Sequence, residues 1–370
     1  MITNGNISSL SVDKAVDQLS DTYIAAISAG LSPKHLPSVM LWGPPGVGKS
    51  QGVRQIAKRI GEETGKECRI TDVRLLLFNP IDLRGIPTAN ADKTLAVWLK
   101  PQIFQMDESD KVINILFLDE ISAAPQSVQA AAYQITLDRV VGEHRLPDNC
   151  IVIAAGNRVT DRSVAFKMPR ALANRLCHLE IKSNFDSWRD WAIQSGINDK
   201  VVGFLSFRPD FLMERADDTR DDLAFPTPRS WEMVSNYLNI VNKSVDKLYP
   251  LIAGCVGSGV AVEFRTYCEV YADLPKMEDV FGGKNPEMPK SGDALYALIS
   301  SMTAYAREHK EDMKMIENSI VYAKKMPVDY STVLLRSYMS IEKGYKDKLM
   351  KIPEFYKWMQ SKGRYLNGSV

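Results

Sequence analysis

Residues 43–50 read GPPGVGKS and fit the pattern GxxxxGK[ST]. Glycines in such a loop let backbone N–H groups turn inward around phosphate oxygens. The helix that follows points its positive dipole end at the same anion. In this pattern Gly43, Pro44, Pro45, Gly46, Val47 and Gly48 form the cradle, with Gln51 just inside the helix. Lys49 reaches the β- and γ-phosphates, and Ser50 ligates Mg²⁺. Further along, Asp119 and Glu120 close the apolar run VINILFLDE. Two carboxylates at the C-terminal end of a buried parallel strand stand where such sheets bind ligands. Asp119 is expected to hold the Mg²⁺ through a water, and Glu120 to orient and deprotonate an attacking water. Asn157 ends the next apolar run, CIVIAAGN, where its amide can hydrogen-bond that water and sense the γ-phosphate. Taken singly, these are a glycine-rich turn, two solvated acids and a capping asparagine. A strand before the loop, a helix after it and carboxylates on the next buried strand favour the phosphate site.

A second pair of charges is harder to place. Arg170 and Arg175 sit five apart in KMPRALANRL, residues 167–176. Their spacing alone reads as a surface helix with two solvated arginines. The loose transition state of phosphoryl transfer, however, spreads charge over its oxygens, and an arginine from a neighbouring molecule can stabilise it.

The elements that must position these residues follow from apolar periodicity. SVMLW (38–42), CRITDVRLLL (68–77), VINILFLDE (112–120) and CIVIAAGN (150–157) read as strands, and 50–64 as a helix. Fully apolar strands alternating with helices imply a parallel sheet covered on both faces. Residues 10–30 have helical spacing and stop at Gly30, and SVQAAAYQITLDRVV is a helix by its alanine content. NPIDLRGIPTANADKTLAVWLKP (79–101) reads as an irregular insertion or hairpin. Beyond about 185 the chain turns helical, with a linker expected over 276–293 and helices over 294–325 and 331–367. From 322 to 365 there are ten Lys/Arg against four Asp/Glu.

Bulk properties exclude several classes. The 370 residues suffice for two or three domains with a sizeable core. A net charge of +1 gives no global field toward nucleic acid or an anionic membrane. The five cysteines form no CxxC pair and the four histidines lack zinc-ligand spacing, so reduced thiols in a cytoplasmic setting are expected. The N-terminus lacks a signal pattern. The most membrane-like run, LYPLIAGCVGSGVAVEF (248–264), is too short and glycine-rich for a span and is expected to be a buried helix.

Together these motifs resemble those of the AAA+ ATPases, and more narrowly the MoxR group, over residues 38–240. LWGPPGVGKS resembles the family's Walker A, ILFLDEISAAPQSVQAA its Walker B with the following helix, and AAGN its sensor-1 strand. PRALANR resembles the segment with the trans-acting arginine finger, which favours Arg175, with Arg170 second. PTPRSWEMV resembles the sensor-2 segment of the lid, implying that Arg229 meets the γ-phosphate in cis. NPIDLRGIP with LAVWLKPQIF resembles the MoxR insert, and RVVGEHRLPDN a short pre-sensor hairpin. The family commonly has proline after the sensor asparagine, where Arg158 stands here. Its finger usually follows aspartate and precedes phenylalanine, whereas Arg175 lies between Asn174 and Leu176.

The resemblance implies an α/β AAA+ P-loop core over 38–185, after a helical lead-in (1–37). A helical lid (186–275), a linker (276–293) and a basic helical extension (294–370) follow. It implies ATP with Mg²⁺, a homo-oligomeric, hexameric ring without membrane attachment, and a protein client. A von Willebrand factor A domain protein is one such client. Two other readings stay open: a nucleic-acid motor or loader, supported by the basic C-terminal segment, and a nucleotide-gated scaffold without turnover.

Overall fold

The computed structural model describes residues 7–158, 168, 173–213, 222–241 and 244–362. The chain divides into two compact units, Met1–Asn184 and Phe185–Val370.

In the first unit the strands are, in chain order, β1 (Ser9–Leu10), β2 (Val39–Trp42), β3 (Glu67–Arg74), β4 (Ile86–Ala89) and β5 (Ala96–Leu99). They continue with β6 (Val112–Asp119), β7 (Val140–Val141), β8 (His144–Arg145), β9 (Cys150–Gly156) and β10 (Cys177–Ile181). Six form one sheet in the order β1-β10-β2-β9-β6-β3, parallel throughout. β6 and β9 lie inside it. Every residue of β9, and all of β6 except Asp119, is buried, which is why both read as unbroken apolar runs. The helix Gln126–Asp138 turns seven residues inward, including Val128, Ala131, Ala132 and Ile135. The expected fold class, a parallel α/β core followed by helices, is the fold observed.

The lead-in is part of the first unit. β1 pairs with β10 as a sixth strand. The helix Val12–Ser28 then packs on the helix Lys49–Thr64: a Cβ built on Gly52 would lie 3.3 Å from Val12 Cγ1. The insertion 79–101 contains a short helix, Pro80–Arg84, and the antiparallel hairpin β4–β5. Its Trp98 carbonyl contacts His144 Nε2 at 2.8 Å, which ties it to the second hairpin, β7–β8.

The second unit is helical around one hydrophobic core that runs from Trp188 to Trp358. Residues 276–293, expected as a linker, contain the helix Met277–Phe281. Val280 and Phe281 are fully buried there, and Asn318 Nδ2 donates to the Phe281 carbonyl at 2.9 Å. The run 248–264 is two helices, Val245–Val256 and Ser258–Glu269. They are broken at Gly257, whose φ of +85° puts it in the left-handed region. Among the described residues no helix is long and apolar enough to cross a membrane. The stretches expected as helices over 294–325 and 331–367 divide, among the described residues, into shorter helices, with one break at Gly344 (φ +81°) and another before Pro353.

Candidate active site

Strand β2 delivers the phosphate loop. Gly43 N donates to the Gly156 carbonyl at 3.3 Å, so the loop leaves the sheet beside the end of β9. Position 43 has no room for a side chain, since a Cβ there would lie 2.5 Å from the Ile181 carbonyl oxygen. Gly46 (φ +78°) and Gly48 (φ +106°) adopt left-handed conformations that fold the loop back onto the helix starting at Lys49. That helix has no acidic side chain in its first turn, so its positive end remains available to an anion.

Lys49 is 9% exposed, and a cation so buried must be compensated. Its Nζ donates to the Gly43 carbonyl (2.6 Å), the Pro44 carbonyl (3.0 Å) and Asn157 Oδ1 (3.0 Å). The ammonium therefore spans the mouth of the loop and touches the tip of β9. Ser50 Oγ donates to Asp119 Oδ2 at 3.0 Å, bringing the start of the helix to the end of β6. These are two oxygen donors of the kind a hard cation takes. Among the described residues no group of three or more His, Cys, Asp or Glu could hold a metal ion. Ser50 Oγ and Asp119 Oδ2 fit a hard cation such as Mg²⁺ by their chemistry.

Glu120 follows Asp119 at φ +58°, one of three non-glycine residues with positive φ among those described. Such a conformation costs about 1–3 kcal/mol and persists where its surroundings over-determine it. Here Glu120 N donates to Asp119 Oδ1 (2.9 Å), and the Glu120 carbonyl accepts from Ala123 N and Ala124 N. Ile121 N donates to the Ala155 carbonyl (3.0 Å). The sharp turn leaves Glu120 half-buried at the sheet end.

Lys49, Ser50, Asp119, Glu120 and Asn157 therefore gather at the C-terminal ends of β2, β6 and β9. Arg175 does not join them. It is exposed, in the turn just before β10, whose first residue Cys177 pairs with Val39 at the start of β2. The sheet separates it from the phosphate loop, with ~10 Å of strand between Cys177 and Glu180 alone. Its turn is firmly held. Cys177 N donates to the Ser38 carbonyl, Leu176 is buried, and His178 bridges Trp42 Nε1 (2.9 Å) and the Ala173 carbonyl (2.7 Å). Arg170 lies outside the described residues. Arg229 belongs to the second unit and is exposed in the first turn of the helix Pro228–Ile240. Thr227 and Ser230 cap that turn reciprocally. Gln51 continues the first turn of the loop helix and is exposed.

Two features had no motif to announce them. Arg158, where the family pattern commonly has proline, forms an ion pair with Glu180 at 2.6 Å, and Ser9 Oγ donates to the same carboxylate at 2.6 Å. Ser122, 2% exposed, accepts the Asn157 N–H at 2.9 Å. Both depend on contacts between distant parts of the chain, for which local spacing holds no signal.

Residues 39–181 match the family model described as "ATPase family associated with various cellular activities (AAA)". Among curated proteins, the chain is 24% identical over 287 residues to "Replication-associated recombination protein A" of Haemophilus influenzae. The match covers 78% of this chain and 51% of that protein, so the chain spans about half the length of the curated relative. Among solved structures, a mutant RuvB of Thermotoga maritima is 15% identical, with 80% of this chain and 86% of that one covered and a TM-score of 0.35. PCH-2 of C. elegans is 13% identical, covering 72% and 70% respectively, with a TM-score of 0.34.

Proposed function

We propose, from an AAA-type domain over residues 39–181 as the premise, that this chain hydrolyses ATP at sites completed by a neighbouring copy. In this reading the assembled ring remodels or activates a partner protein, as a MoxR-like chaperone. The observation that carries it is the division of the charged groups. Lys49, Ser50, Asp119, Glu120 and Asn157 sit at one end of the sheet and Arg175 at the other. An arginine so placed lies away from the loop of its own chain, and in this reading it serves a site on a neighbouring copy.

In this mechanism the loop N–H groups and Lys49 hold the β- and γ-phosphates. Ser50 and Asp119 would hold Mg²⁺, which would supply charge neutralisation on those phosphates. Glu120 takes a proton from water as the water oxygen bonds to the γ-phosphorus. The bond to the β-phosphate oxygen breaks, leaving ADP and inorganic phosphate. Asn157 orients that water. Arg175 of the neighbour, with Arg170 as the second candidate, stabilises the charge spread over the transferring group. By the resemblance, Arg229 of the lid, residues 186–275, would be the γ-phosphate sensor, and lid movement would transmit the stroke to the client. A von Willebrand factor A domain protein in the cytoplasm is the kind of client this reading favours.

The test is Glu120→Gln, which keeps the turn and removes the base. ATP affinity should stay near that of the wild type while turnover falls by about 10²-fold or more. A wild-type chain that binds ATP, assembles and never hydrolyses it would sink the enzyme reading.

A nucleic-acid motor is the second reading, favoured by the name of the Haemophilus influenzae relative. Against it, Lys324, Arg336, Lys348 and Lys357 of the basic C-terminal segment are engaged by Glu354, Asp186, Glu311 and Glu342, which is what a solvated surface looks like. DNA-stimulated turnover with steep salt dependence would reverse that preference.

A further inference from the structure

The turn bearing Glu120 and the strand end bearing Asn157 are joined by a buried side chain, Ser122, beside the backbone bond from Ile121 N to the Ala155 carbonyl. Ser122 Oγ accepts the Asn157 N–H at 2.9 Å. The Ser122 carbonyl accepts from Gln129 Nε2 at 3.2 Å, and the same amide nitrogen donates to the Ala124 carbonyl at 2.9 Å, anchoring the turn to the helix behind it. Position 156 makes room for the contact, because a Cβ there would lie 2.8 Å from both Ser122 Oγ and Met40 Cε. One step further, Asn157 Oδ1 accepts from Lys49 Nζ. A continuous path therefore runs from Lys49 through Asn157 and Ser122 to the left-handed Glu120.

We propose that Ser122 is a positioning residue for hydrolysis: its hydroxyl locks the Glu120 turn and the Asn157 strand end into one body. The inference rests on the ATPase reading above. Without the lock, the Asn157 strand end is free to shift against the Glu120 turn, which its own backbone bonds still hold, and Asn157 and Glu120 no longer address the same water. A misplacement of about 1 Å at a reacting centre can cost ~10²-fold in rate, with little effect on the binding of the rest of the substrate.

The experiment compares wild type, Ser122→Ala and Ser122→Thr in the full chain by steady-state turnover, ATP affinity and thermal unfolding. Ser122→Ala is expected to lower kcat by about 10- to 100-fold, with ATP affinity essentially unchanged. Ser122→Thr keeps the acceptor oxygen and is expected to turn over close to the wild-type rate. A purely structural serine would lower stability and leave kcat per folded chain alone. The proposal is overturned if folded Ser122→Ala turns over normally, if its loss tracks lost ATP binding, or if folded Ser122→Thr is as slow as Ser122→Ala. A wild type without turnover fails the ATPase reading itself. An active wild type with an active Ser122→Ala fails only this inference.

Discussion

Glu180 ties three elements of the first unit to one carboxylate. It sits on β10, takes the Ser9 hydroxyl from β1, and pairs with Arg158 just past the end of β9, with Lys182 at 3.5 Å. The Arg158 hydrogen bond pulls its pKa down to about 2, helped by Ser9 and by the charges of Arg158 and Lys182, against a desolvation that acts upward. A folded pKa below the unfolded one means the unfolded chain binds the extra proton. The contribution is therefore fully present above about 4.5 and is lost as pH falls toward about 2. It amounts to at most about 3 kcal/mol. The stability gap between wild type and Glu180→Gln, measured by urea unfolding, should be widest near neutrality and should close through that acidic window. A gap independent of pH would show that the ion pair does not stabilise the fold.

Among the elements, the helix Met277–Phe281 separates what composition suggests from what packing does. The glycine-, lysine- and proline-rich stretch around it has the composition of a linker, yet Phe281 is fully buried with its ring 4.7 Å from that of Tyr305. Phe281→Ala should cost about 3–5 kcal/mol and lower the denaturation midpoint, whereas truncation in a true linker would leave it unchanged. The contrast marks what was legible. β2, β6 and β9 were readable because both faces are buried, leaving unbroken apolar runs, and the site residues at their ends follow from where parallel sheets place ligands. β1 and β10 were not. β1 is two residues long, and β10 mixes Cys177, His178 and Glu180 with Leu179 and Ile181; pairing creates both strands, not local pattern. The subdivision of the C-terminal helices depended on Gly344 and Pro353, weak signals beside a continuous helical periodicity. Ser122 belonged to no pattern at all, since its partner is 35 residues away.

For the whole molecule the decisive question is which chain Arg175 serves. A head-to-tail interface that repeats around a ring puts one face of each copy against the opposite face of the next. That arrangement fits the proposed reading, in which the glycine-rich loop lies at one end of the sheet and Arg175 at the other. On the proposed reading, the Glu120→Gln chain should retain ATP and gain mass in solution when ATP is added. In an otherwise active chain, Arg175→Ala should bind ATP but lose turnover by about 10³-fold. Mixing separates the alternatives that either variant alone leaves together. A Glu120→Gln subunit lacks the base but carries the arginine, and an Arg175→Ala subunit carries the base but lacks the arginine. If the arginine acts between copies, randomly mixed rings regain complete sites at about one interface in four, and activity returns although both parents are inactive. If it acts within its own chain, every site stays defective and no activity returns. A mixture that stays dead while co-assembly is verified by mass would move the arginine back to its own subunit and remove the ring from the mechanism.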